Sequence, residues 1–295
     1  MEYVTLSNGV KMPQLGYGVY QVSKDECKRC VLDALSVGYR HIDTAQSYFN
    51  EEEVGEAIAE SGVPREEIFL TTKVWIEHYG YDETRASVLA SMRKLKTNYI
   101  DLVLLHQPFS DVYGAWRALE DLYAEGVIKA IGVSNFYPDR LVDICSFARI
   151  KPMVNQVETH PHNQQTEAHE WMVKYGVQHE AWAPFGEGRG GMFEEPILVE
   201  IGKKYGKTAA QVILRWELQR GIVVIPKSIH RERMEQNVAV FDFALSDEDM
   251  EKIAALDRKQ SSFFSHTDPG MVEWFARMVE ERKHNHDHEK EKKNW

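Results

Sequence analysis

Short apolar runs alternate along this chain with longer stretches in which apolar positions recur every three to four residues. The short runs, at 15–20, 41–43, 69–73, 102–106, 130–134, 154–158, 178–182 and 222–226, read as strands. The longer stretches, around 50–60, 82–96, 112–125, 139–147, 165–175 and 208–219, read as amphipathic helices, and another runs from a cap at Ser23 to about Ser36. Ahead of them, 4–6 and 10–12 flank Asn8-Gly9, the signal of a two-residue hairpin turn whose central residues both take positive φ. Past the last strand, 231–240 and 247–256 read as helices, the second capped by Ser246 with acidic residues in its first turn. A polar and aromatic loop at 260–271 then leads to a final helix at 272–281.

This alternation predicts an α/β fold in which a parallel sheet closes into a (β/α)8 TIM barrel, with an N-terminal β-hairpin cap and C-terminal helices. A doubly wound sheet also alternates strand and helix, but it would carry a G-x-G-x-x-G turn after its first strand, and none is present. Polar residues instead gather at many strand ends: Asp43, Lys73, His106, Ser134 with Asn135, Gln156 with Glu158, and Lys227. In a barrel all those ends converge on one face, which is where such enzymes keep their sites. No linker divides the chain, so 1–282 is expected as a single domain, followed by a charged tail at 283–295. That tail, with His284, His286 and His288, reads as disordered and solvated rather than metal-binding.

Composition narrows the picture. With 43% hydrophobic and 27% charged residues over 295 positions, the chain reads as an ordinary globular protein. A formal charge of -11 argues against a nucleic-acid partner, which needs a dominant basic surface. No apolar stretch is long enough to span a bilayer and no signal peptide opens the chain, so the expectation is a cytoplasmic protein without membrane contact. Cys27 and Cys30 form a C-x-x-C inside a helical pattern; with Cys145 the count is odd, which suits a reducing compartment and packing rather than redox work.

The chemistry sits on the strand ends. An Asp at the end of a buried strand needs a cation, and Lys73 closes the strand where it could meet Asp43. Tyr48 follows in the next turn. Free tyrosine titrates near ~10, and a lysine beside it favours ionisation, which would make the phenol a usable acid. His106 can offer a neutral imidazole N–H to a carbonyl oxygen. No nucleophile with an attached base is evident, and no metal set is expected. After the last strand, IPKSIHRER puts Lys227, Ser228, Arg231 and Arg233 at a helix start, a phosphate site in an otherwise acidic protein. A phosphate-bearing hydride carrier would serve both halves.

In GYRHIDTAQSYFNEEEVGEAI, LTTKVW, DLVLLHQP, IGVSNF, NQVETHP and IPKSIHRERMEQN, taken in order, the chain resembles the aldo-keto reductase family. The likeness runs from the hairpin through about Asp268 and is strongest to the bacterial branch of 2,5-diketo-D-gluconate and methylglyoxal reductases. It implies NADPH-dependent carbonyl reduction, with Tyr48 as general acid, Asp43 and Lys73 tuning it, and His106 orienting a small carbonyl substrate. By the same resemblance Gly18 and Val19 lie along the cofactor, Ser134, Asn135 and Gln156 hold the nicotinamide carboxamide, and Trp182 stacks on its ring in place of a common tyrosine. Lys227, Ser228 and Arg233 match the 2′-phosphate cradle, Asn237 and Gln236 the adenine contacts, and Phe185 with Glu187 a loop over the pyrophosphate.

Tyr20, Phe49, Trp75 and Gln107 are the pocket candidates, with Tyr20 and Gln107 standing where the family often has tryptophan. Gln236 replaces a usual glutamate. The resemblance further implies NADPH rather than NADH, and a monomer. The alternative is a regulatory barrel that binds NADPH without turnover, and a metal-dependent barrel hydrolase is a weaker third reading.

Overall fold

The computed structural model describes the backbone of residues 1–293 and the side chains of residues 1–282. Strands β1 (Tyr3–Thr5) and β2 (Lys11–Pro13) form the expected antiparallel hairpin. Its turn differs from the expectation. Only Gly9 takes positive φ (88°), and Leu6 accepts from the Gly9 N–H while donating to the Val10 carbonyl, so three residues rather than two make the loop.

Eight strands make the main sheet: β3 (Tyr17–Gly18), β4 (His41–Asp43), β5 (Phe69–Val74), β6 (Ile100–Leu105), β7 (Ile128–Ser134), β8 (Val154–Glu158), β9 (Gln178–Trp182) and β10 (Val223–Val224). All are parallel and neighbours in sequence order. The two end strands then meet. Leu15 bridges Val224, and the N–H groups of Gly16 and Gly18 donate to the Val224 and Pro226 carbonyls at 2.8 and 3.2 Å, which closes the barrel. A Cβ on Gly16 would stand 2.5 Å from the His41 ring and one on Gly18 3.0 Å from the Ile225 carbonyl, so both glycines are required by close neighbours in the fold.

Around the barrel lie α1 (Lys24–Ser36), α2 (Glu51–Glu60), α3 (Tyr81–Lys94), α4 (Val112–Ala124), α5 (Pro138–Phe147), α6 (Thr166–Tyr175), α7 (Pro196–Tyr205) and α8 (Ala209–Gln219). Helices α9 (Arg231–Val238), α10 (Asp247–Ala254) and α11 (Pro269–Lys293) follow the last strand. Ser246 caps α10 as expected, accepting from the Asp249 N–H. Ser23 precedes α1 but makes no capping hydrogen bond. Helix α7 was not anticipated. Pro196 opens it and Gly206 ends it at positive φ, and Leu198 and Ile201 pack with Trp216 and Ile253 into a small second core.

Cys27 and Cys30 are buried in the core, and burial pushes the Cys27 thiol up to about 12, so neither behaves as a reactive thiolate. The last helix extends well beyond the expected 272–281 and continues through most of the segment expected as a disordered tail. The side chains of His284, His286 and His288, and residues 294–295, lie outside the described residues. Among the described residues no helix is long and apolar enough to cross a membrane.

Candidate active site

Strand periodicity decides which side chains enter the barrel. On β5, Thr72 points outward and donates to Glu51 of α2 at 2.7 Å, while its neighbour Lys73 points inward and is fully buried. Inside, the Lys73 ammonium lies 2.5 Å from Asp43 Oδ1, 3.1 Å from the Thr44 carbonyl and 3.3 Å from the Tyr48 hydroxyl. The second Asp43 oxygen accepts from the Gln156 amide at 2.9 Å. Burial works against the Lys73 charge, but Asp43 and Tyr48 outweigh it and raise its pKa.

Tyr48 stands on a 3₁₀ turn at Gln46–Tyr48 that the chain makes on leaving β4. Here one expectation needs correction. Lys73 does favour ionisation, but burial is the larger effect and Asp43 adds to it, so the phenol is pushed up to about 12. Tyr48 is therefore a firmly protonated donor whose neighbouring ammonium can stabilise charge that develops on it.

His106 stacks edge-on against Tyr48 and Trp75, with ring centroids at 5.7 and 5.0 Å. Burial and the Lys73 charge hold it well below its ordinary pKa, hence neutral. Its Nδ1 lies 3.4 Å from the Ser47 hydroxyl.

These groups open into a cavity of about 670 Å³. Of the expected site residues, Gly18, Tyr20, Asp43, Tyr48, Trp75, His106, Gln107, Ser134, Asn135, Gln156, Trp182, Phe185, Glu187, Lys227 and Arg233 line it. Asn135 is tied at both ends of its amide, donating to the His106 carbonyl and accepting from the Trp182 indole at 2.9 Å. Ser134 donates to the Gln156 carbonyl.

Other expected residues lie outside that lining. Val19 is wholly buried, with its N–H on the Asp43 carbonyl. Phe49, which the pocket expectation included, takes a left-handed conformation (φ 58°) that turns it outward, 57% exposed. Ser228 spends its hydroxyl on the backbone of His230, Gln236 is exposed on α9, and Asn237 is buried against the Tyr39 phenol.

The basic cluster separates in three dimensions. Arg231 is bound to Asp33, Ser36 and Glu235. The side chains of Lys227 and Arg233 form no salt bridge and donate no hydrogen bond among the described residues, and both line the cavity. Two uncommitted cations at the rim, with the flat face of Trp182 in the same cavity, fit a phosphorylated nicotinamide carrier.

Sequence reasoning missed several lining residues. Phe263, Phe264 and His266 come from the 260–271 loop, and Trp274, Phe275, Met278 and Arg282 from α11. The loop is anchored by Glu158, which accepts from the Ser261 hydroxyl and the Ser262 N–H at 2.5 and 2.7 Å. The aromatic content of that loop was the available signal. Glu180 was also missed. It is fully buried near Asp43 and His41, and burial together with the Asp43 charge raises its pKa, so one ammonium serves one of the two carboxyl groups.

Residues 6–258 match the Aldo/keto reductase family. Glyoxal reductase of Bacillus subtilis (strain 168) is 49% identical over 259 residues, covering 87% of this chain and 93% of its own. Methylglyoxal reductase DkgA of Escherichia coli (strain K12) is 42% identical over 258 residues, 86% of this chain and 93% of its own. Among solved structures, an aldo/keto reductase from Brucella melitensis superposes with a TM-score of 0.84 at 44% identity, covering 87% of this chain and 99% of its own. A Bombyx mori aldo-keto reductase in complex with NADP superposes at 0.86 and 33% identity, covering 89% and 95%.

Proposed function

Because this chain belongs to the aldo/keto reductase family of oxidoreductases, we propose that it reduces an aldehyde, α-dicarbonyl or keto-sugar to the alcohol with NADPH, Tyr48 supplying the proton. The observation that carries this reading is the phenol of Tyr48 at the cavity wall, 3.3 Å from an ammonium that is itself 2.5 Å from Asp43. When bound, the dihydronicotinamide supplies the hydride. Everything else falls to side chains of this chain.

Tyr48 holds its proton through the neutral range and donates it to the carbonyl oxygen as that oxygen gains charge. Lys73 stabilises the phenolate character left behind, and Asp43 keeps the ammonium in place. With the Ser47 hydroxyl, 3.4 Å away, donating to Nδ1 of His106, the ring proton would sit on Nε2, the tautomer that can donate to the same carbonyl oxygen. Lys227 and Arg233 would hold the 2′-phosphate of the cofactor, and Trp182 would cover its nicotinamide.

The test is oxidation of NADPH by a panel that includes methylglyoxal, a keto-sugar acid and aromatic aldehydes, followed by loss of the reduced nicotinamide absorbance. Turnover with any of them supports the reductase reading. Tight NADPH binding with no oxidation by the whole panel would favour the regulatory barrel instead.

A further inference from the structure

Gln46, Ser47 and Tyr48 form one 3₁₀ turn, and each sends its side chain to a different neighbour. Tyr48 reaches Lys73 and Ser47 reaches His106, and both line the cavity. Gln46 is buried and lies outside that lining. Its amide is spent at both ends: Oε1 accepts from the backbone N–H of Trp75 at 3.0 Å, and Nε2 donates to the Ser91 hydroxyl of α3 at 3.1 Å. A backbone N–H can only donate, so the amide oxygen must be the end that faces Trp75.

The sheet explains why a side chain is needed there. Strand β4 stays paired with β5 as far as Asp43 and Thr71, and the Thr44 N–H still donates to the Thr71 carbonyl. The chain then leaves the sheet, while β5 runs on to Val74. At the start of this ladder the Phe69 N–H donates to the Arg40 carbonyl, and the same spacing carried forward along both chains brings the Trp75 N–H to residue 46. The backbone carbonyl of Gln46 has by then turned into the 3₁₀ helix, where it accepts from the Phe49 N–H at 3.3 Å. Its side-chain oxygen takes over the place in the ladder, so a buried N–H stays paired although the strand has ended.

That substitution fastens the turn to the stretch of β5 that carries the ammonium, because Lys73 lies two residues before Trp75. The exit of the turn is held toward the other side. Asn50 donates to the Val19 carbonyl at 3.0 Å and accepts from the Thr44 hydroxyl at 2.8 Å.

We infer that Gln46 is a positioning residue for carbonyl reduction: its side-chain amide, by standing in for a strand carbonyl opposite Trp75, sets the approach of the Tyr48 hydroxyl to Lys73. It touches neither substrate nor cofactor and acts through the turn. The inference rests on the reductase reading.

The test follows single-turnover oxidation of bound NADPH by 4-nitrobenzaldehyde in H2O and in D2O, alongside NADPH affinity and urea melts. Gln46→Met keeps most of the side-chain volume and removes both hydrogen bonds, whereas Ser91→Ala removes only the bond to α3. Each leaves a buried polar group unpaired, so both should unfold at lower urea than wild type. Gln46→Met is expected to slow the single turnover by about 10- to 100-fold, as a small displacement of a reacting group does, with NADPH affinity within about twofold and a larger solvent isotope effect. Ser91→Ala should keep the wild-type rate and isotope effect within about twofold. Gln46→Glu, assayed near pH ~6 where burial keeps the new carboxyl protonated, retains an acceptor for Trp75 and a donor for Ser91 and should recover most of the lost rate.

A wild-type rate and isotope effect in Gln46→Met, or equal slowing in Ser91→Ala, would overturn the inference and leave Tyr48 as the acid. A loss in Gln46→Glu as deep as in Gln46→Met would do the same. Failure of wild type itself to oxidise NADPH with this aldehyde and with the broader panel would remove the reductase reading, and the inference with it.

Discussion

The ammonium of Lys73 lies 3.3 Å from the phenolic oxygen of Tyr48, and both are reached from separate elements, β5 and the turn after β4. That contact makes the phenol useful without making it easily ionised. Burial dominates and holds the proton on, while the ammonium lowers the free energy of any charge that appears during transfer.

Tyr48→Phe removes the donor and little else. NADPH affinity, read by quenching of protein fluorescence, should stay within about twofold, while kcat for carbonyl reduction falls by about 10²- to 10⁴-fold. Wild-type turnover in this variant would rule Tyr48 out as the acid.

Lys73→Met strands the Asp43 carboxylate in the barrel, where removal of one partner from a buried pair costs about 3–5 kcal/mol. Urea melts should show that loss. Pairing it with Asp43→Asn should restore most of the stability and none of the activity, because the unpaired charge is gone but so is the ammonium beside Tyr48. A double variant as unstable as Lys73→Met alone would contradict the account.

Direction and pH are linked through Tyr48. With its pKa raised to about 12, the acid form is present throughout the neutral and mildly alkaline range, so the step in carbonyl reduction that depends on this proton should be flat with pH there. Alcohol oxidation needs the deprotonated phenol and should climb as pH rises toward that value. His106 is held neutral and adds no break near its ordinary pKa. A proton-dependent loss of reduction centred near ~10, the free tyrosine value, would show that the phenol is not buried as described.

Stability should weaken on the acid side. His41 is lowered to about 3 and His266 to about 4 by burial, and His106 and His179 are also well below their ordinary value. Each is protonated in the unfolded chain but not in the fold once pH drops below about 6.5, so each withdraws up to about 1.4 kcal/mol per pH unit until its folded pKa is reached. Glu180 and Glu217, raised by burial, act in the opposite sense, favouring the fold at low pH and losing that contribution as pH rises through their folded values. The four histidines outweigh the two acids, and urea melts at pH ~5 should show lower stability than at pH ~7. Equal stability at both would mean that the histidines are not neutral in the fold.

Arg233 and Arg231 should behave differently despite their proximity in sequence. Arg233→Ala is expected to raise KM for NADPH by about 10- to 100-fold with little effect on NADH, as loss of a charge-assisted contact to the 2′-phosphate would. Arg231, already committed to Asp33 and Glu235, should leave both constants nearly unchanged when replaced by Ala. Equal effects of Arg233→Ala on the two cofactors would refute the phosphate assignment.

The alternation of short apolar runs with amphipathic stretches determined a parallel α/β sheet, and the polar residues at many strand ends, with no G-x-G-x-x-G turn after the first, selected the barrel over the doubly wound form. The partnership of Asp43 with Lys73 was equally legible, because a buried carboxylate at a strand end requires a cation and strand periodicity points both inward. What sequence spacing could not supply was which long-range neighbours compete for a side chain. It could not separate Arg231, taken up by Asp33 of α1, from Arg233, or see that Asn237 turns toward Tyr39 and that Phe49 turns outward at positive φ. Nor could it weigh burial against the Lys73 charge at Tyr48, since desolvation depends on every segment packed around the phenol. The path of α11 across the cavity belongs to the same class: its apolar face is visible in the sequence, but the surface it covers is decided only when the barrel has closed beneath it.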